Sequence, residues 1–478
     1  LNMAFLIGGA NSAADTGYDV DNSCRFNDGD SPYMYKAGAT GNRDTFTFSY
    51  WLKRGTLTGA DMRIGMFSGT DSTTGTTNIW GKFNANDTFI IVDNTGSLNY
   101  SFTTNRLFRD VSAWYHFVIA VDTTQSTESD RVKIYVNGVR ETSFSTETYP
   151  PQNTDTLLGA GSSYEFVLSG WKGNTNQMFD GYIAEVVHID GLQLAPTSFG
   201  EFDSDSPTIW KPKDVSGLTF GTNGTYLDFE ASDNLGNDAN GGTDWTETNL
   251  AATDQSTDTP TNNFSTINSL DNYFYAATLS EGNLVQTANA GNYSFGTSTF
   301  GVSSGKWVVE VKISTGSGGD ERHVVGITDK VSTGTTDQLG DLANAWQYSA
   351  NGYVYNSGSD IGDTYDTYTT DDIIGIYLDL DNNKLYFSKN GTVQNSGTGI
   401  SITAPSSITN GVYFIAFGDY GASDDSVNNV NFGSPPYANS SSVTDGDYGD
   451  FEYNTTITGD SASKTFKALC TKNLAEYG

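Results

Sequence analysis

Gly305-Lys306-Trp307-Val308-Val309-Glu310-Val311-Lys312-Ile313 opens the stretch, residues 305–391, that decides the fold. Trp307, Val309, Val311 and Ile313 alternate onto one face, and Lys306, Glu310 and Lys312 onto the other, which is expected to face water. Val324-Val325-Gly326-Ile327 follows, then an aromatic loop carrying Trp346, Tyr348, Tyr353 and Tyr355. From Asp372 to Leu380 the alternation returns, with Ile374, Ile376, Leu378 and Leu380 on one side. The polar turn Asp381-Asn382-Asn383 leads into Leu385–Gly391, read as a hairpin partner strand.

Five segments in one order carry a resemblance: "GKWVVEV", "VVGI", "DIIGIYLDLDNNKLYFSKNG", "GVYFIAFGD" (Gly411–Asp419) and "NFG" (Asn431–Gly433). Together they resemble a SPRY domain. That implies a curved two-sheet β-sandwich without catalytic machinery, binding partners through its loops.

Upstream, Phe46, Phe48, Tyr50 and Leu52 alternate in "TFTFSYWLKRG", Trp114–Asp122 is a second strand, and Val132, Ile134 and Val136 mark a third. Asn137-Gly138 after it is the preferred two-residue hairpin turn. Phe179–Val186 is a fourth strand, and a short helical turn is expected from Pro196. The series "FTFSYW", "WYHFVIAVD", "VKIYVNG", "FDGYIAEV" resembles a laminin-G-like, or concanavalin-A-like, domain. The resemblance implies a jelly-roll sandwich that binds sugars or proteins, sometimes through calcium at one rim; the family's calcium ligands do not map onto residues here. The reading is therefore all-β: an N-terminal arm at 1–17, a laminin-G-like sandwich at 18–202, a connector at 203–262 and a SPRY-like sandwich at 263–478. The arm reads as a frayed terminus or a tether to a neighbouring subunit. The connector is a polar tract too poor in apolar residues to pack a core of its own. "KTFKAL" (Lys464–Leu469) is expected to close the second sandwich.

Charge narrows the partners. With 24 Lys plus Arg against 57 Asp plus Glu the formal net charge is −33, which repels nucleic acid and supplies no basic patch for a membrane surface. Scattered acidity reads as a solvated surface first and a cation site second. Cys24 and Cys470 lie in opposite halves and read as small buried hydrophobes rather than a bridge. No apolar run approaches the roughly 20 residues of a membrane span, and Ala4–Ile7 lacks the basic flank of a signal peptide. The start at Leu1 and the end at Gly478 leave room for a longer polypeptide.

Catalysis finds little footing. His116 and His188 sit inside apolar strands, as structural histidines do, and His323 stands apart from both. No nucleophile elbow or zinc spacing occurs. Glycoside cleavage needs two carboxylates about 5–9.5 Å apart; Glu185 and Glu310 each stand alone on a strand. The expectation is no enzyme. The Asp-rich turns Asp379-Leu380-Asp381-Asn382 and Asp445-Gly446-Asp447 offer the hard oxygens that calcium prefers, although turn chemistry explains them as well. For ligand binding the candidates are Trp346, Tyr348, Tyr353 and Tyr355, with Trp80 and Trp171 in the first domain, because flat aromatic faces stack on sugar rings; core packing is the rival reading for Trp346 and Tyr348.

The pairing of the two domains, with "MAFLIGGANSAADTGYDVDNS" (Met3–Ser23), "SGLTFGTNGTYLDF" (Ser216–Phe229) and "DTPTNNF" (Asp258–Phe264), is similar to structural proteins of tailed phages, particularly tail fibre or host-recognition proteins. It implies a non-enzymatic protein at the virion surface, trimeric among other virion proteins, binding a bacterial surface glycan or protein receptor. Two alternatives stand beside it: a capsid or tail decoration with an assembly role only, and a secreted bacterial adhesin or carbohydrate-binding module.

Overall fold

A computed structural model describes residues 6–7, 17–55, 57, 59–69, 77–172, 175–288, 293–315, 322–330, 338–362, 365–419, 426–444 and 446–478. The chain folds as two compact units, residues 15–261 and residues 262–478, the second also taking in residues 1–14. Both are β-sandwiches.

In the first unit one sheet centres on Trp114–Asp122, Thr45–Arg54 and Gly181–Asp190, hydrogen-bonded in that order, with Val132–Val136 outside the first and Ser23–Phe26 outside the last. The facing sheet runs Phe144–Thr148, Leu98–Leu107, Thr88–Thr95, Thr77–Phe83, Met62–Gly69, Tyr164–Leu168, Tyr33–Ala37 and Thr246–Thr248. Period-two alternation drives Phe46, Leu52, Phe117, Ile119, Val121, Val132, Ile134 and Val136 into the common core. Asn137 and Gly138 both adopt positive φ, +49° and +76°, as a type I′ turn requires. Gly138 has a second constraint: a Cβ there would stand 2.3 Å from Cε3 of Trp210.

Residues 203–261 are not a connector. Trp210 packs on Trp51, Trp114, Tyr182 and Ala184. Val215, Phe220 and Tyr226 cover Val118, Val187 and Ile189, and Trp245 enters the core. The segment thus covers the outer face of the first sheet with its first part and then adds strands to both sheets, Thr225–Leu227 and Gln255–Ser256 to the first and Thr246–Thr248 to the second. Hydrogen bonds hold its polar residues in place: the Asp238 carboxylate accepts from the Thr225 hydroxyl (2.8 Å) and the Tyr226 amide (2.9 Å) and pairs with Lys36 (3.0 Å). A covering layer needs only one apolar anchor every several residues, so low hydrophobicity did not betray it.

In the second unit Lys306–Thr315 pairs with Ile373–Asp379, which pairs with Lys384–Lys389 as the expected hairpin. The opposing sheet joins Ser294–Val302, Tyr413–Asp419, His323–Thr328 and Ala345–Ser349. Trp307, Val309, Val311 and Ile313 reach the core as the alternation predicts. The other face of that strand does not reach water throughout. Chain from Phe451 to Cys470 crosses it, burying Val308, Tyr377 and Tyr386 under Phe466 and Ile457. Glu310 is buried too and accepts from the amides of Glu452 and Tyr453, both at 2.9 Å. Lys467–Ala468, inside the expected closing strand, lies parallel to Trp307–Val308. Leu6–Ile7 joins this unit as a strand parallel to Phe300–Gly301, which makes the apolar part of the arm a sheet edge rather than a frayed end. Cys24 and Cys470 are both buried and are not bridged to one another.

Candidate functional site

The six aromatic candidates separate sharply. Trp346 (5% exposed) and Tyr348 (0%) lie in the core of the second unit: both faces of Ala345–Ser349 are covered, so the rings pack inward. Trp346 meets Tyr413 edge-on, and the Tyr348 ring lies against Tyr365, Tyr368 and Phe387. They are not surface ligands. Tyr353 is 48% exposed, and its ring lies 6.2 Å from that of the half-buried Tyr355. The pair sits on or beside the short strand Val354–Asn356, near one edge of its sheet.

Trp80, partly exposed, and Trp171, buried at 8% exposure, are distant in sequence but come together on the outer face of the second sheet of the first unit. Residues that alternate outward build it: Tyr33 and Tyr35 beside Met34, Val167 between Phe166 and Leu168, Trp80 beside Ile79. Trp171 arrives by a turn. Ser169 and Gly170 are both left-handed, φ +65° and +71°, and carry the chain back over the sheet. Between the two indoles lies Arg63, its Cζ 3.7 Å from the ring centroid of Trp171 and 4.8 Å from that of Trp80. Lys82 stands 5.1 Å over Trp80, and Lys172 3.7 Å over Tyr35. Lys82 pairs with Asp61, and Lys172 with Glu165 at 2.6 Å. The result is an aromatic tray rimmed by cations in a strongly acidic chain. Sequence singled out the two tryptophans but not Arg63, which alternates outward between Met62 and Ile64 and looks there like any surface cation.

A second concavity, of about 460 Å³, opens beside Tyr18, Phe220 and Tyr226, with Asp214, Asp228 and Glu230 on its walls. Glu185 lies next to it, buried, at a bulge between Ala184 and Val187 and in left-handed backbone (φ +52°). The Tyr226 hydroxyl is 3.0 Å from both carboxyl oxygens, and the Tyr18 hydroxyl donates to one of them at 3.2 Å. Burial above all, then Asp228 and Glu230, pushes Glu185 up to about 8 despite those hydrogen bonds.

His116 and His188 are buried and held by their neighbours. The Trp210 indole N–H donates to His116 Nδ1 (2.9 Å), so the proton sits on Nε2, which faces the Ser49 hydroxyl (2.8 Å). His116 stacks on Trp51 at 4.5 Å, and burial pulls it down to about 3. His188 stacks on Phe48, faces the Asn223 carbonyl, and falls to about 4, again through burial.

Among the described residues no cluster of three or more His, Cys, Asp or Glu is arranged to hold a metal ion. Lysines occupy the first Asp-rich turn: Asp379 is paired with Lys464 at 3.3 Å, and Asp381 with Lys306. In the second, Asp447 pairs with Lys467, and Asp445 lies outside the described residues.

Residues 28–191 match the Laminin_G_3 family, described as the concanavalin A-like lectin/glucanases superfamily, and residues 306–423 match the SPRY domain. Comparison with curated proteins finds no match. Among solved structures the chain is similar to the SPRY domain of human HERC1, at 17% identity and TM-score 0.30, over 34% of this chain and 96% of that one. It is also similar to a heptameric SAP-like pentraxin of Limulus polyphemus, at 11% identity and TM-score 0.28, over 37% and 80% of the two chains. A third, a candidate carbohydrate-binding protein of Bacteroides ovatus, gives 15% and 0.31, over 48% of this chain and 58% of that chain.

Proposed function

We propose that this chain is a non-enzymatic recognition protein that binds a glycan through the aromatic tray of its concanavalin-A-like unit. The observation that carries the reading is the row of partly exposed rings, Trp80, Tyr33 and Tyr35, around the buried Trp171 on one outer sheet face. Ring faces presented from a rigid sheet stack on pyranose rings at little entropic cost. A lectin/glucanase-type sandwich beside a SPRY domain supports binding as the task of both units. The absence of catalysis is part of the proposal. It is supported by the way the two strand-borne glutamates are engaged: Glu185 by Tyr226 and Tyr18, Glu310 by two backbone amides.

On the sequence resemblance we place the protein at the surface of a tailed-phage virion, as a tail fibre-type component, with a bacterial surface glycan as receptor and a trimer as the working form. Three trays acting together multiply a weak single-site affinity. The test is saturable binding of the purified chain to candidate host cells, with and without calcium chelator. Binding competed by cell-surface polysaccharide and lost in Trp80→Ala is expected; loss in chelator would add calcium to the site. A well-folded, correctly assembled chain that ignores cells the phage infects would overturn receptor binding and favour the decoration role. Release of reducing sugar ends that disappears in Glu185→Gln would overturn the non-enzymatic reading.

A further inference from the structure

Four cationic side chains are buried among the described residues: Arg25, Lys53, Arg54 and Arg63. Lys53 pairs with Asp258 at 2.7 Å, Arg54 with Asp87 at 3.1 Å and Arg25 with Asp254 at 3.8 Å. Among the described residues Arg63, 6% exposed, makes no ion pair. Its Nε donates to Gln177 Oε1 at 2.7 Å, and Nη1 is buried with no acceptor among those residues. The nearest carboxylate at work, Asp61, already holds Lys82, the Ala85 amide (3.1 Å) and the Gln177 amide (3.4 Å). The strand register makes matters worse. Arg63 stands directly opposite Lys82, a like-charge cross-strand pair. A desolvated guanidinium without an anion is costly, and burial pulls Arg63 down to about 9. In a chain with 57 carboxylates and 24 cations, a cation left unpaired between two indoles is the reverse of what composition favours.

We propose that the tray binds acidic glycans, Arg63 receiving the carboxylate or sulfate of a sugar whose ring lies on Trp80. This rests on the glycan reading above and names the class of sugar. Gln177 fixes the wall on one side, its Oε1 accepting from both Arg63 and the Trp171 indole (3.4 Å). Trp80, partly exposed on the other side, is the wall that shifts to admit the anion. A guanidinium fork then gains the charge-assisted bonds it lacks, flanked by Lys82 and Lys172, each paired with a carboxylate. The net charge of −33 repels polyanions as a whole, so a polyanion that binds does so through a local site; at physiological salt the Debye length of about 8 Å lets such a site act independently of the distant surface.

The test measures binding of the full chain to polygalacturonate, dextran sulfate and neutral dextran. Binding to one or both polyanions and not to dextran is expected, the preferred polymer distinguishing carboxylate from sulfate ester. Arg63→Gln should weaken it by roughly ten- to a hundredfold; Arg63→Lys, which keeps the charge but loses the fork, should weaken it less. If Arg63→Gln fails to fold, the half-buried rim pair Lys82→Gln/Lys172→Gln, with melting checked, decides. Binding unchanged in Arg63→Lys and in that pair overturns the inference. Equal binding of dextran and polygalacturonate, lost in Trp80→Ala but not in Arg63→Gln, overturns the acidic specificity and leaves glycan binding standing. No binding to any of the three polymers or to host polysaccharide sinks both.

Discussion

At Glu185 both the backbone and the side chain are held away from their resting states. A left-handed non-glycine residue costs of order 1–3 kcal/mol, and burial lifts its carboxyl to about 8 from 4.5. The folded unit therefore binds a proton that the unfolded chain releases above pH 4.5. Stability contributed by the protonated form is full below that value and falls as pH rises through about 8, by up to about 1.4 kcal/mol per pH unit. Glu185→Gln keeps an acceptor for Tyr226 and removes the titration. We expect urea denaturation of this variant, followed by tryptophan fluorescence, to lose the decline between pH 5 and 8; an unaltered slope would refute the assignment. Six tryptophans (Trp51, Trp80, Trp114, Trp171, Trp210, Trp245) lie in the first unit and two in the second, so the signal reports mainly on the right unit. His116 and His188 act with the opposite sign. Lowered to about 3 and 4, they contribute stability that is full above 6.5 and lost as pH falls towards those values.

The elements that matter most to stability are those with the least hydrophobic sequence. Trp210 anchors the covering layer, stacks on His116 and roofs the turn at Gly138. Trp210→Ala is expected to cost about 3–5 kcal/mol, the usual loss for a buried aromatic, and to open residues 203–220, which cover the outer face of the first sheet, to limited proteolysis before the sandwich itself unfolds. Gly138→Ala meets two obstacles at once, about 1–2 kcal/mol of left-handed backbone and a clash with the Trp210 ring. It should lower the urea midpoint of the first unit without changing the second, and a neutral result would show that the ring yields.

Across the whole molecule, charge is the dominant global term. Self-repulsion at a net charge of −33 opposes compactness, and salt screens it. Thermal stability should therefore rise with sodium chloride from low to moderate concentration, read by calorimetry as two transitions, one per unit; a fall would mean that the cation–carboxylate pairs outweigh the net repulsion. For the acidic-glycan inference the same experiment is a control, since salt that stabilises the fold should weaken Arg63-dependent binding.

The sequence by itself determined the two sandwiches and their order. A strand with one buried face must repeat every two residues, and that pattern is local: Phe46 to Leu52, Val132 to Val136 and Trp307 to Ile313 were legible for this reason. The type I′ turn at Asn137-Gly138 was equally local. Only the tertiary structure decided what lies on the far side of each strand. Glu310 looks solvent-facing until Phe451–Cys470 is laid across it, and residues 203–261 look unfoldable until their few anchors find a sheet already built. The candidate site divides along the same line. Aromatic side chains are visible in sequence, but whether a ring is core or surface depends on the layer above it, which sent Trp346 and Tyr348 inward and left Trp80 at the surface. Arg63 gave no local signal, because its unpaired charge is a relation among Trp80, Trp171, Gln177 and Lys82 that exists only after three separate segments have met.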